Sequence, residues 1–443
     1  MSQLPEAFIR QMADQLGDSL PKLLAAMEAP AWRGLRLNPL KLHDPESVLT
    51  VGDQIPWEKT GRYIHADSQA GSHVLHKAGA WYIQEPSAMI PVAVLDPQPG
   101  EWILDLCAAP GGKSSQIGER MAGQGLLVSN EPVFQRAEQL SRTIETAGIV
   151  NALVTSAVPE QLSGRWQECF DGVLVDAPCS GSGMFRKYPA VAAAWQAEEP
   201  EGCAKRQAKI LEEACRMVRP GGRMVYSTCS LDRRENEDQI QSFLLRHPEF
   251  ELEPFFLPEV NGTEGMITCY PFQIRGEGHF AALLRKSGKR EDDGFIRPVA
   301  ATFPSPDKQS LQAWEALSGG GTLRPDLVTA DEMISSPHTP DCWGISVLRK
   351  GLRLAYRKGK TWLPHHAWAM SEKTGNMPVL SLTEDGAIRY MAGEEIASVE
   401  EVRGFAAVAY AGYHVGWVKA SHGVLKNHLP KGLRISRGLM GKA

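Results

Sequence analysis

"WILDLCAAPGGKSSQI" (residues 102–117) runs from an apolar stretch through a proline- and glycine-rich turn into a segment suited to a helix. A phosphate-binding P-loop would need glycine five positions before Gly112, where Cys107 stands. Residues 107–112 read CAAPGG, so the dinucleotide fingerprint GxGxxG is also absent. What remains is a tight turn at the carboxyl end of a strand, the place where open α/β sheets bind ligands. Small residues let a ligand approach the backbone, and the next helix offers free N–H groups.

Working outward, short apolar runs recur at 102–107, 126–131, 152–157, 172–178 and 223–229. They suit strands buried on both faces. Amphipathic segments lie between them, among them 134–148, which ends on Gly148, and 201–222, which ends in Pro-Gly-Gly. This rhythm predicts an α/β, Rossmann-like, doubly wound and mostly parallel sheet. The run 126–131 ends in Glu131, and an acid at the end of the second strand accepts hydrogen bonds from ribose hydroxyls. Loop plus acid points to a cofactor containing a nucleoside. A charge at a helix N-terminus is the plainer reading of Glu131.

A chain of 443 residues exceeds one ordinary core. The charged, turn-rich "KSGKREDDGF" (286–295) marks a boundary. The expected division is an N-terminal module over 1–90, the sheet domain over 91–288, a middle accessory domain over 289–370 and a C-terminal domain over 371–443. No apolar run reaches the roughly 18–20 residues of a membrane span, and the first residues lack a signal-peptide layout. A cytoplasmic protein without membrane contact is expected. No two of the eight cysteines are closer than ten positions, so no CxxC pair exists and no metal site is expected.

The net charge of −5 excludes a uniformly basic coat but not a local patch. "RKGLRLAYRKGK" (349–360) carries six cations and no acid, and 402–443 carries seven more and no acid. With aromatics and glycines interleaved, both stretches are candidate phosphate-contacting surfaces; a solvated basic face is the alternative.

"VDAPCSGSG" (175–183) and "VYSTCS" (225–230) each place a cysteine directly after a strand of the same sheet. Cys179 and Cys229 therefore reach the same crevice, with Asp176 at the same edge. Methylation of cytosine at carbon 5 needs such a set. A thiolate adds to carbon 6, carbon 5 becomes nucleophilic, a sulfonium donor gives up its methyl, and a base then removes the carbon-5 proton. The thiolate needs electropositive help, which Lys113 supplies directly or by orienting Asp176.

"DLCAAPGGKSSQ", "DAPCSGSGMFRK" and "STCSLDRRENE", in that order, resemble the motifs of the Sun/Fmu family of RNA cytosine-5 methyltransferases, as does "YIQEPSAM" (82–89). The resemblance implies S-adenosylmethionine as cofactor, Cys229 as nucleophile and Cys179 as helper in later steps, including product release. It implies that Cys107, Ala108, Ala109, Pro110, Gly111, Gly112, Lys113, Glu131, Arg136 and Asp176 surround the cofactor and the target base. The family usually carries Asp near the adenine where Ala157 stands here, leaving that contact to backbone groups, Ser156 or Val158. "RGLRLNPLK" and "GWVKASHGVLKNHLPKGLR" resemble the N-terminal and PUA-like C-terminal modules of the bacterial 16S ribosomal RNA branch. They imply 16S rRNA or the small ribosomal subunit as partner. The TC cysteine and the basic accessory modules favour RNA over DNA, and a monomer is assumed. Transfer RNA as substrate, or a non-catalytic RNA-binding assembly factor, are the alternatives.

Overall fold

Residues 102–105 alternate between two cores. Trp102 and Leu104 point into one and Ile103 into the other, as a strand covered on both faces requires. In the computed structural model, which describes residues 4–41, 48–288, 306–321, 323–397 and 402–439, this segment is the centre of a nine-stranded sheet.

Strands are numbered along the chain. An N-terminal sheet pairs β1 (Gly34–Leu37) with β2 (Gly61–Tyr63) and β3 (Trp81–Ile83). The central sheet contains β4 (Trp102–Asp105), β5 (Leu126–Asn130), β6 (Ala152–Ser156), β7 (Phe170–Asp176) and β8 (Val218–Thr228). These five run parallel in the order β8-β7-β4-β5-β6. All five lie within the expected apolar runs or extend them. The switch of winding direction between β4 and β7 opens the ligand crevice at their carboxyl ends.

The edges are antiparallel. β9 (Phe250–Leu252) and β12 (Met266–Cys269) pair with β13 (His279–Lys286), which pairs with β8; β10 (Phe255–Leu257) and β11 (Val260–Gly262) form a separate hairpin. β14 (Leu327–Val328), β15 (Glu332–Ser335), β17 (Leu352–Lys358) and β18 (Thr361–Pro364) form a small sheet. β16 (Ser346–Lys350) instead crosses back and pairs with β6, so residues expected in a middle domain complete the central sheet. A last sheet joins β19 (Val379–Leu382), β21 (Gly404–Tyr410), β22 (Tyr413–Ser421), β23 (Val424–Asn427) and β20 (Ile396–Ala397).

The helix expected over 134–148 spans Phe134–Thr146 and buries Ala137, Leu140, Ser141 and Ile144, one face at helical spacing. The one expected over 201–222 spans Glu199–Met217. It ends ahead of Pro220 because the following residues enter β8, extended backbone that the proline's fixed φ tolerates. The N-terminal and C-terminal modules share a core: Leu35 and Trp81 pack in one cluster with Tyr390, Tyr413 and Val418. No helix among the described residues is long and apolar enough to cross a membrane.

The basic stretch 349–360 is only partly a surface. Arg349 is buried in an ion pair with Glu145, and Arg353 pairs with Glu332 at 3.2 Å. Arg357, Lys358 and Lys360 remain exposed. Of the C-terminal cations, Arg403, Lys419, Lys426 and Lys431 are exposed, Arg437 pairs with Glu394, and Lys442 lies outside the described residues.

Candidate active site

The turn after β4 is shaped by position-specific residues. Gly111 sits at φ 109°, where a side chain is strained, and a Cβ there would lie 2.8 Å from Thr143. The helix Gly112–Met121 starts on it. The buried Arg36 of β1 grips this helix start from outside the sheet. Its guanidinium donates to Gly112 O at 3.0 Å and Ser115 Oγ at 2.8 Å and pairs with Glu119 at 2.9 Å. The N-terminal module thereby fixes the loop's position.

A cavity of about 280 Å³ opens beside this turn. Cys107, Ala108, Ala109, Pro110, Gly112, Lys113, Asp176 and Cys229 line it, together with Tyr82, Lys187, Tyr188 and His279. Lys113 Nζ donates to Asp176 Oδ2 at 2.7 Å, and Ser227 Oγ donates to Asp176 Oδ1 at 2.8 Å. Burial opposes ionisation of Asp176, but the Lys113 ammonium overrides it and holds the carboxyl below its usual range. Burial likewise opposes charge on Lys113, and Asp176 reverses the effect, raising it. The Lys113 charge also feels Cys229.

The two thiols meet. Cys179 Sγ lies 3.1 Å from Cys229 Sγ. Cys229 lines the cavity, and Cys179 stands against its sulfur outside that lining. The contact with Cys229, then burial, pushes the Cys179 thiol well up.

Glu131 stands at the end of β5, buried. It accepts from Val133 N at 3.0 Å and pairs with Arg136 at 3.1 Å, and Arg136 also donates to Ala109 O at 3.2 Å. Two carboxylate lone pairs remain for other donors. Gly111, Glu131 and Arg136 do not line the 280 Å³ cavity; they frame the turn beside it. Val133, Phe134 and Val158 expose apolar side chains in the segments after β5 and β6. At the Ala157 position the backbone is already engaged: Ala157 N–H donates to Asn130 Oδ1 at 3.2 Å and Val158 N–H to Gln161 Oε1 at 3.2 Å. Ser156 Oγ donates to Pro132 O at 3.3 Å. Of the backbone groups expected to replace the missing Asp, the amides of Ala157 and Val158 are therefore engaged. The exposed Val158 side chain is what this segment offers.

Burial pushes the Asp105 carboxyl at the end of β4 up to about 7, against a bond from Ser114 Oγ at 2.7 Å. Burial raises the Cys107 thiol as well, and the side chain packs against the core while lining the cavity. Tyr226 and Trp195 are buried core side chains. No cluster able to hold a metal occurs among the described residues.

Sequence reasoning passed over Glu235. Its carboxylate is buried and accepts from Ser180 N at 2.9 Å, Ser180 Oγ at 2.5 Å, Ser230 Oγ at 2.6 Å and Gln207 Nε2 at 2.9 Å. Ser180 and Ser230 each follow one of the two cysteines, so a single acid ties both cysteine loops together. Asn236 adds a bond to Ser230 O at 2.9 Å and accepts one from Thr228 Oγ1 at 2.6 Å. The only cue was an acid and an amide six and seven places after Cys229. Glu235→Ala leaves several buried donors unpaired and is expected to cost about 2–4 kcal/mol. A urea melt checks the cost, and 5-methylcytidine formation is expected to fall in parallel as the two sulfurs separate.

Comparison with known proteins follows the same lines. Residues 92–285 match the family "16S rRNA methyltransferase RsmB/F". Residues 4–86 match the N-terminal domain of 16S rRNA methyltransferase RsmF, and 377–435 its PUA domain. "Ribosomal RNA small subunit methyltransferase F" of Shewanella loihica is 32% identical across 98% of this chain and 96% of its own length. The protein of that name in Escherichia coli K12 is 30% identical across 97% and 96%. The chain belongs to the RsmB/F family of RNA methyltransferases. A crystal structure of a methyltransferase homologue from Pyrococcus horikoshii superposes with a TM-score of 0.55 at 28% identity, covering 64% of this chain and 95% of that one. Family membership makes the chain an S-adenosylmethionine-dependent RNA methyltransferase, built on a Rossmann-like sheet with an N-terminal module and a PUA domain.

Proposed function

We propose that this enzyme methylates carbon 5 of a cytosine in small-subunit ribosomal RNA, in the cytoplasm, through a covalent adduct between Cys229 and carbon 6 of the base. The observation that carries the reading is the placement of Cys229 on the wall of the cavity that the Lys113–Asp176 pair also lines, with the Cys179 sulfur 3.1 Å behind it.

S-adenosylmethionine suits the site by donor chemistry. Glu131 offers acceptor capacity for ribose hydroxyls, Val133, Phe134 and Val158 offer apolar flanks for a nucleobase, and residues 107–113 offer a small-residue loop ending in helix N–H groups. Bound there, it supplies an electrophilic methyl group.

The chain's own residues do the rest. The Cys229 sulfur forms a bond to carbon 6, and the ring's electron pair becomes available at carbon 5. The ammonium of Lys113 favours negative charge on that sulfur. Asp176, ionised and aimed by Lys113 and Ser227, accepts hydrogen bonds from the N–H edge of the base. After methylation, a base takes the carbon-5 proton, the freed C–H pair restores the carbon 5–carbon 6 double bond, and the carbon 6–sulfur pair leaves with Cys229. Cys179, 3.1 Å from that sulfur, is the nearest group able to serve as this base, in its thiolate form. The target base must leave its stack to reach the cavity. Arg357, Lys358 and Lys360 on one module and Lys419, Lys426 and Lys431 on the PUA domain offer cations to the RNA backbone.

The test is incubation with labelled S-adenosylmethionine and, separately, 16S rRNA, small ribosomal subunits and transfer RNA, followed by digestion to nucleosides. Label in 5-methylcytidine from ribosomal RNA is expected. Label confined to transfer RNA would replace the substrate, and label in no RNA would overturn the reading.

A further inference from the structure

His279 has no task in the mechanism above, yet it occupies the site. It opens β13, one step beyond the Phe280–Thr228 pair, and Cys229 directly follows Thr228 at the end of β8. Its side chain is 2% exposed and lines the cavity shared by Cys229, Lys113 and Asp176. Neither Nδ1 nor Nε2 has a hydrogen-bond partner among the described residues. Asp176 Oδ1, at 3.9 Å from Nε2, is beyond hydrogen-bond range. Leaving a buried polar group unpaired is unfavourable.

The charge state narrows what His279 can do. Burial, and then the nearby Lys113 charge, drive its pKa down to about 3 against the pull of Asp176. The imidazole is neutral at physiological pH, with one N–H donor and one bare acceptor nitrogen. Asp176 is an acceptor only, so it serves the amino group or a protonated N3 of cytosine. The Lys113 ammonium is engaged by Asp176 at 2.7 Å. Of the other side-chain donors on the wall, Tyr82, Lys187 and Tyr188 reach solvent, and His279 is the buried one without a hydrogen-bond partner among the described residues; O2 of the base needs such a donor, because it shares the negative charge that builds up when sulfur adds to carbon 6.

We propose that His279 donates a hydrogen bond to O2 of the target cytosine, holding the base beside Asp176 and stabilising the charge that develops on attack. The proposal rests on the cytosine methyltransferase reading and adds a specificity-determining residue to it. A preorganised donor aimed at developing charge acts mainly on turnover.

The test compares wild type, His279→Leu and His279→Asn on small-subunit rRNA transcribed with cytidine or with 2-thiocytidine, whose sulfur is a weaker acceptor. S-adenosylmethionine binding, measured by equilibrium dialysis, reports that each variant is folded. His279→Leu is expected to lower kcat by about 10²-fold, with cofactor binding unchanged. His279→Asn keeps an N–H donor and is expected to recover at least tenfold of that loss, on the order of one donor's contribution. The 2-thio substitution should slow wild type and add little to His279→Leu, because both remove the same bond. Equal losses in the two variants, wild-type turnover in His279→Leu, or a 2-thio penalty as large in that variant as in wild type would overturn the proposal. Failure of the wild-type protein to methylate the cytidine transcript would bring down the underlying reading and this proposal with it.

Discussion

Cys229→Ala is expected to bind S-adenosylmethionine as wild type does and to lose 5-methylcytidine formation by at least about 10⁴-fold. The size follows from the chemistry. Without a bond to carbon 6, carbon 5 of cytosine is a poor nucleophile, and neither neighbouring thiol takes the sulfur's place: Cys179 stands outside the lining, and burial pushes the Cys107 thiol up. Cofactor binding should survive because the loop 107–113 and Glu131 are held by Arg36, Arg136 and Thr143, none of which touches Cys229. Dialysis against labelled cofactor and nucleoside analysis of the RNA check the two halves. Turnover within tenfold of wild type would remove Cys229 as the nucleophile.

Cys179→Ala is expected to accumulate a covalent protein–RNA species, visible as a slow band in a denaturing gel, while net turnover falls about 10²–10⁴-fold. Attack by Cys229 survives the change, since Lys113 and Asp176 are untouched. Release is slowed because the proton-exchanging group 3.1 Å from the attacking sulfur is gone. A persistent band from Cys229→Ala in place of Cys179→Ala would exchange the two roles. Together the variants separate bond formation from bond release, which neither does alone.

The sheet was legible because its signals are local. Five apolar runs, each followed by a turn or an amphipathic helix, place β4 to β8 in the sequence, and the loop between β4 and its helix is recognisable from CAAPGG alone. The candidate site was legible to the same depth: Lys113, Asp176, Cys179 and Cys229 all sit at carboxyl ends of those strands or one turn beyond, and the fold brings them together. Less legible was everything that depends on partners far apart in the chain. β16 joins the central sheet although nothing in "SVLRK" announces a pairing with residues near 154. Arg349 looks like a surface cation until Glu145 is seen to meet it. The vacated adenine contact at Ala157 seemed open to backbone amides, and Asn130 and Gln161 claim them.

By itself the sequence determined the strand–helix alternation, the cofactor loop and the chemical identity of the groups at the sheet edge, because these follow from backbone periodicity and from residue types within a few positions of each other. Only the tertiary structure decided which sulfur faces the cavity, that one buried carboxylate, Glu235, ties both cysteine loops, that Arg36 of the N-terminal module positions the cofactor helix, and that His279 stands unpaired beside Asp176. The physical reason is that burial and hydrogen-bond satisfaction are properties of contacts between distant segments. Glu235 lies 55 positions from Ser180, and Arg36 lies 79 from Ser115.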